Sequence, residues 1–200
     1  CQFNIGERRL VMSFAPDADV TDVVGWRLVL DYVSDESPLP GWWQVQPGGC
    51  RDGQIVAAMP TGFEGDCLDV WSAAGSAVAQ SYLYPRPGGN ASQFRIIVGV
   101  GVPDGNAFTL QTGQAYLAGI LSLFFARTTT GECPGCESPV CFVLNSAEIL
   151  RRASAPGSPP GPYVTPSPSV GNSCTWGGGS SCLAVPVRGR TWGQIKSLYR

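Results

Sequence analysis

Val24-Gly25-Trp26-Arg27-Leu28-Val29-Leu30-Asp31-Tyr32-Val33 is built almost wholly from β-branched, aromatic and other apolar residues, in the manner of a half-buried strand. Arg8 to Phe14, just upstream, has the same character. Beyond them Pro38, Pro40 and Gly41 break the chain, and further strands are expected at Trp42–Val45, Gln54–Ala58, Ala77–Tyr84, Phe94–Val102, Tyr116–Ala126 and Val140–Leu150. Turn chemistry at Pro85–Asn90 and Pro103–Asn106 separates them. Strand centres roughly 10 to 20 residues apart, without helical crossovers, predict an all-β fold, an antiparallel β-sandwich or jelly roll. The run Ala115–Phe125 also fits a buried helix, and strand is the preferred reading. The 26 glycines and 17 prolines agree with many short strands joined by turns.

After Arg152 the composition changes to Ala-Ser-Ala-Pro-Gly-Ser-Pro-Pro-Gly-Pro, and a second proline-containing run follows at Thr165–Ser169. Prolines forbid helix and weaken sheet pairing, so this stretch is expected to be extended and PPII-like, packed along its own sandwich or on a neighbour. Trp192, Ile195 and Tyr199 then stand at helical spacing behind Thr191, a candidate N-cap, which predicts a short amphipathic helix. The expected organisation is a sandwich domain over residues 1–152 and an extended Pro/Gly-rich tail over 153–200, with a disulfide turn and the terminal helix.

The net charge is −2, and apart from Lys196 all thirteen cationic side chains are arginines, spread thinly along the chain. Nucleic-acid binding needs clustered positive charge to displace counterions from phosphates, so it is not expected. The longest apolar run, Ala115–Ala126, falls short of the ~18 residues that span a bilayer, and no transmembrane segment is predicted. No signal peptide stands at the start, so the numbering is expected to begin at or inside the mature protein. Eight cysteines and no histidine point to an oxidising compartment, extracellular, secreted or at the cell surface.

Cys50 with Cys67, and Cys174 with Cys182, bracket short turns and are expected to pair. The first link would remove about 3 kcal/mol of unfolded-state entropy. Cys133-Pro-Gly-Cys136 and Cys141 then need one outside partner, and Cys1 is the one left. Cys1 also fits a lipid-modified N-terminal cysteine, but acylation would leave one of the other thiols unpaired. A redox dithiol at Cys133/Cys136 would need a following helix N-terminus, whereas Pro139 and a β-rich run follow; zinc would need thiols that this compartment oxidises.

Without histidine, Ser-His-Asp and Cys-His mechanisms are excluded, and only carboxylate chemistry remains, from Asp31, Asp35, Glu36, Asp52, Glu64, Asp66 and Asp69. No spacing singles out a pair, and the chain is not expected to be an enzyme. No cofactor is expected either; Asp17, Asp19 and Asp22 alternate along one loop and are the weak Ca²⁺ candidate, against a plain polar loop. Trp42, Trp43, Trp71, Tyr82 and Tyr84 offer flat rings, and strand alternation would keep Trp42 and Trp43 from both lying in the core. Asn90-Ala-Ser92 matches the N-glycosylation pattern on a turn.

Several blocks carry a resemblance: Val29-Leu-Asp-Tyr32, Leu39-Pro-Gly-Trp42-Trp43-Gln44, Cys50-Arg51, Cys67-Leu-Asp-Val-Trp71, Cys133-Pro-Gly-Cys136 with Pro139-Val-Cys141 and Val143-Leu-Asn-Ser146, Thr175-Trp176-Gly-Gly178, and the terminal Thr191-Trp-Gly-Gln-Ile-Lys-Ser-Leu-Tyr-Arg200. In this order they resemble a family of secreted, functionally uncharacterised bacterial proteins. The resemblance implies export, disulfides and a cohesin-like or jelly-roll-like sandwich, and it carries over no activity and no catalytic residues. Relatives have additional sequence, including another cysteine, ahead of the position of Cys1, and this chain departs there. The functional expectation is a non-enzymatic structural subunit of an extracellular fibre or surface layer, a homo-oligomer or polymer assembled through tail and sheet-edge contacts. Its candidate interface residues are Trp42, Trp43, Tyr82, Tyr84, Tyr163, Trp192 and Tyr199. The alternative is a secreted carbohydrate-binding module that stacks a glycan on Trp42 or Trp43 and Tyr82 or Tyr84.

Overall fold

The computed structural model describes residues 1–59, 65–71, 74–129, 131–155, 172–177 and 182, and the backbone of 163–164. The described chain is all-β apart from short 3-10 turns. In order the strands are β1 Glu7–Phe14, β2 Val20–Ser34, β3 Ile55–Ala58, β4 Ala77–Leu83, β5 Gln93–Gly101, β6 Phe108–Leu110, β7 Tyr116–Phe124, β8 Val140–Arg151, β9 Tyr163–Val164 and β10 Ser173–Trp176. They form two antiparallel sheets. The first runs β1-β7-β3; the second runs β10-β8-β2-β5-β4, with β6 added on β2 and β9 on β8. The apolar run at Tyr116–Phe124 is therefore a strand, the centre of the smaller sheet.

β2 organises the larger sheet because its fifteen residues pair with β5 on one side and β8 on the other. Its even-numbered residues Trp26, Leu28, Leu30 and Tyr32 face inward and are at most 1% exposed, as the period of two requires. Gly25 is needed where the chains meet most closely, since a Cβ there would lie 2.3 Å from the Val100 carbonyl oxygen. The inner residues of both sheets, Met12, Phe14, Ile55, Leu121 and Leu123 from one and the β2, β5 and β8 side chains from the other, form one hydrophobic core. Hydrogen bonds also cross between the sheets: Trp26 Nε1 donates to Ala118 O at 2.8 Å, and Tyr82 Oη to Ile55 O at 2.7 Å.

Three expectations are corrected. Trp42–Val45 is not a strand, because Trp43 N–H bonds Pro40 O at 2.9 Å and Gln44 N–H bonds Gly41 O at 3.1 Å, closing a 3-10 turn over Gly41–Trp43. Successive side chains of that turn are not driven to opposite faces, and both Trp42 and Trp43 are fully buried. Cys50 pairs with Cys133 rather than Cys67, and Cys182 with Cys141 rather than Cys174, leaving Cys67 and Cys174 as free thiols; Cys1 pairs with Cys136.

Pairing by shortest loop fails because the folded sheets, not sequence distance, decide which cysteines meet. Cys50 is held against the 126–134 segment, where Arg127 Nη1 donates to its carbonyl at 2.9 Å, whereas Cys67 adjoins Leu68, whose bridge to Tyr116 belongs to a different part of the molecule. In β10, the exposed Cys174 stands opposite Phe142, while Cys141, next to Phe142 along β8, faces the other way, where it meets Cys182. The loops closed are long, with sequence separations of 135, 83 and 41 residues. The chain-entropy model gives each link about 4–5 kcal/mol.

Beyond residue 155 two described stretches, β9 and β10, are strand. β9 pairs with Ala147–Glu148 and β10 with Val140–Val143, so here the tail lies along its own domain. The expected PPII stretch beyond residue 155 and the helix behind Thr191, with Trp192 and Tyr199, lie outside the described residues.

Candidate functional site

The densest chemistry surrounds the 3-10 turn. Gly41-Trp42-Trp43 packs beneath Trp176 of β10, with ring centroids 5.4 Å apart for Trp42–Trp176 and 5.5 Å for Trp43–Trp176. Trp176 Nε1 donates to Cys136 O at 2.7 Å. The Cys133-Pro-Gly-Cys136 segment closes the cluster from the side: Trp42 N–H bonds Pro134 O at 2.8 Å. Gly135 is obligatory there, having φ +99° and no room for a Cβ, which would sit 2.3 Å from Pro40 Cβ. The Cys-x-x-Cys unit leads into the Gly135–Ser138 turn and has both sulfurs in disulfides, to Cys50 and Cys1.

Beneath the tryptophans lies Arg51, 1% exposed. Its guanidinium carbon stands 3.6 Å from the centroid of the Trp42 ring. Nε donates to Ala126 O at 3.0 Å, Nη1 to Trp42 O at 3.1 Å, and Nη2 to Phe124 O. Burial lowers its pKa to about 10, still well above neutrality. Arg51 is a bracket: one buried cation fastens the turn to the end of β7. The Tyr32 hydroxyl donates to Trp43 O, and burial raises its pKa well above the ordinary tyrosine value. In the sequence Arg51 figures only within a block of the resemblance, and nothing there pointed to this bracket or its partners.

Of the aromatic candidates, Trp42 and Trp43 lie in the core and Tyr82 and Tyr84 pack against it. Tyr82 and Tyr84 are partly buried with their rings against Phe94, at 5.9 and 5.6 Å, and their hydroxyls donate to Ile55 O and Ala91 O. Burial raises the Tyr82 pKa. Trp42 and Trp43 are fully buried and offer no ring face to a sugar, while Tyr82 and Tyr84 are half-buried. Tyr163 is described only by its backbone, which pairs with Glu148, and Trp192 and Tyr199 lie outside the described residues.

The carboxylates are structural where they are placed. Asp31, fully buried, accepts from Arg95 Nε at 2.7 Å and Nη2 at 2.8 Å and from Arg86 Nη1 at 2.6 Å; the hydrogen bond to Asp31 raises the Arg95 pKa. Asp52 Oδ2 accepts from Gly48 N and Asp69 Oδ1 from Trp71 N, both turn contacts. Asp35, Glu36 and Asp66 are exposed, and Glu64 lies outside the described residues. Among the Ca²⁺ candidates, Asp19 accepts from Thr112 N at 2.8 Å, Asp22 faces Arg152 at 3.8 Å, and Asp17 is exposed. Among the described residues no group of three or more acidic or cysteine side chains could hold a metal ion, so the three aspartates do not converge.

What the surface offers instead is strand edge. β1 carries Glu7, Arg8 and Arg9 on its edge, and Arg9 pairs with Glu7 at 2.5 Å. β3 is four residues long, and its free backbone groups are taken by side chains of β4: Gln80 Oε1 accepts from Ala57 N at 2.7 Å and Gln80 Nε2 donates to Ile55 O at 3.2 Å. β10 is four residues long. β4, Ala77-Val-Ala-Gln-Ser-Tyr-Leu83, is seven residues without charge, proline or bulge, and among the described residues only its β5 side makes backbone hydrogen bonds. The outer face of the smaller sheet adds exposed Val11, Val56 and Phe124.

No family model, curated protein or solved structure matches the chain. Among the described residues no helix is long and apolar enough to cross a membrane.

Proposed function

We propose that the protein is a non-enzymatic structural subunit of an extracellular assembly, a fibre or surface layer, made by self-association of an antiparallel β-sandwich of jelly-roll or cohesin-like type. The observation that carries the reading is the contrast between the two ends of the larger sheet. At one end a tail strand, β10, has been added to β8; at the other, β4 is uncharged, paired with β5 on one side and with no backbone partner on its outer side among the described residues. An edge that accepts an extended segment from its own chain accepts the same segment from a neighbour, and a bare edge is the standing template for another strand.

Other features support the reading. Three disulfides fit an oxidising, extracellular setting. Both tryptophans of the candidate sugar platform are fully buried, which favours assembly over glycan binding. Exposed Val11, Val56 and Phe124 give a neighbouring copy apolar surface to cover.

Electron microscopy and sedimentation of the protein taken from its extracellular setting test the proposal. Polymers are expected from the full chain, with shorter or no polymers when the chain ends after Arg152. Monomers alone, with truncation leaving the size unchanged, would overturn it.

A further inference from the structure

We infer that β4 pairs with β4 of a second copy, antiparallel about a two-fold axis through Gln80, so that the two larger sheets become one. The inference rests on the self-association reading and names the contact.

Three observations select this edge and this occupant. First, the other long edge is guarded: β1 has charged residues at Glu7, Arg8 and Arg9, whereas β4 has none. Second, β4 is already braced. Gln80 and Tyr82 reach inward to the backbone of β3, which ties the strand to the smaller sheet, and among the described residues its far edge has no backbone partner. Third, the strand is self-complementary in the antiparallel sense. With Gln80 at the centre all seven residues pair: Val78 faces Tyr82, Ala77 faces Leu83 and Ala79 faces Ser81 of the second copy, each apolar or small residue meeting its like. A shift of two residues either way leaves two residues of each strand unpaired. A partner strand bearing charge would find no counter-charge on β4, whereas a second copy brings none. Isologous pairing of this kind closes a dimer, the building block to which tail contacts add.

Ala79 and Ser81 are exposed, and the outer-face neighbour of Ala79 on β5 is Gly99, so lysine fits at either position without disturbing the fold. The test compares three full-length proteins by sedimentation equilibrium and microscopy: wild type, Ala79→Lys/Ser81→Lys, and Ala79→Lys/Ser81→Glu. The two-fold places residue 79 of each copy opposite residue 81 of the other. Two lysine–lysine pairs should weaken the dimer about tenfold, and two lysine–glutamate pairs should restore it to wild-type strength or better. Restoration by the second variant cannot arise from misfolding, since both variants carry a lysine at position 79. Equal dimerisation in all three, or equal weakening in both variants, overturns the pairing. If polymers persist unchanged in the double-lysine protein, β4 pairing fails while the assembly reading stands; if the wild type is monomeric throughout, with no polymer, both fail.

Discussion

Replacing Arg51 by methionine tests whether the buried cation holds the fold together or is merely tolerated. Two opposing effects are large enough to decide the sign. Burial has lowered the guanidinium pKa from its ordinary value to about 10. Relieving that desolvation would return roughly 3 kcal/mol, about 1.4 kcal/mol per unit. Against this, methionine leaves the carbonyls of Ala126, Trp42 and Phe124 without the donor they now have. Charge-assisted bonds contribute about 2 kcal/mol each, so the three together come to about 6. The stacking on Trp42 at 3.6 Å adds about 1 kcal/mol. The bonds win, and Arg51→Met should destabilise by about 4 kcal/mol, lowering Tm by roughly 8–16 °C for a chain of this size. Arg51→Lys keeps the charge but loses the planar fork, and should fall between the two at about 2 kcal/mol. Non-reducing thermal and urea unfolding, followed by tryptophan fluorescence, reads the order wild type, lysine, methionine. A methionine variant as stable as the wild type would refute the bracket and mean that the carbonyls find water instead.

Under denaturing, non-reducing conditions two of the eight cysteines should titrate as free thiols, and peptide mapping should find Cys1–Cys136, Cys50–Cys133 and Cys141–Cys182; a Cys50–Cys67 peptide would contradict the arrangement. Asp31→Asn should cost about 2–3 kcal/mol in urea unfolding, because it leaves Arg86 and Arg95, both partly buried, sharing a neutral amide; stability unchanged within about 0.5 kcal/mol would count against the triad. Tyr32 has a folded pKa above its unfolded value of 10.0, so its contribution is fully present below pH 10 and is lost as pH rises beyond it. Wild type should therefore lose stability more steeply than Tyr32→Phe between pH 10 and 11, and parallel curves would show that the hydroxyl is not protected.

The strands were legible because a half-buried strand writes its period into the sequence: Trp26, Leu28, Leu30 and Tyr32 face one way, and neither Gly25 nor the buried Asp31 disturbs the pattern. The short strands β6, β9 and β10 were not, since two to four residues hold too few alternations to stand out from a loop. Trp42 and Trp43 misled for a different reason. Adjacent aromatics read as a strand with one ring outside, but Pro40 sets an extended entry, after which a single 3-10 turn brings both indoles into the core. The disulfides failed for the reason that long-range contacts always resist local reading. Chain-entropy arguments rank loops by length, yet the oxidised pairs are those the sheet brings face to face, and Cys141 meets Cys182 only because β10 has already paired with β8. The strand β4 was legible as the neutral run Ala77–Tyr84, but its place at the end of the larger sheet was not, because whether a strand is central or terminal depends on every other strand in the sheet. Composition can therefore nominate a strand, and only topology can place it at an edge.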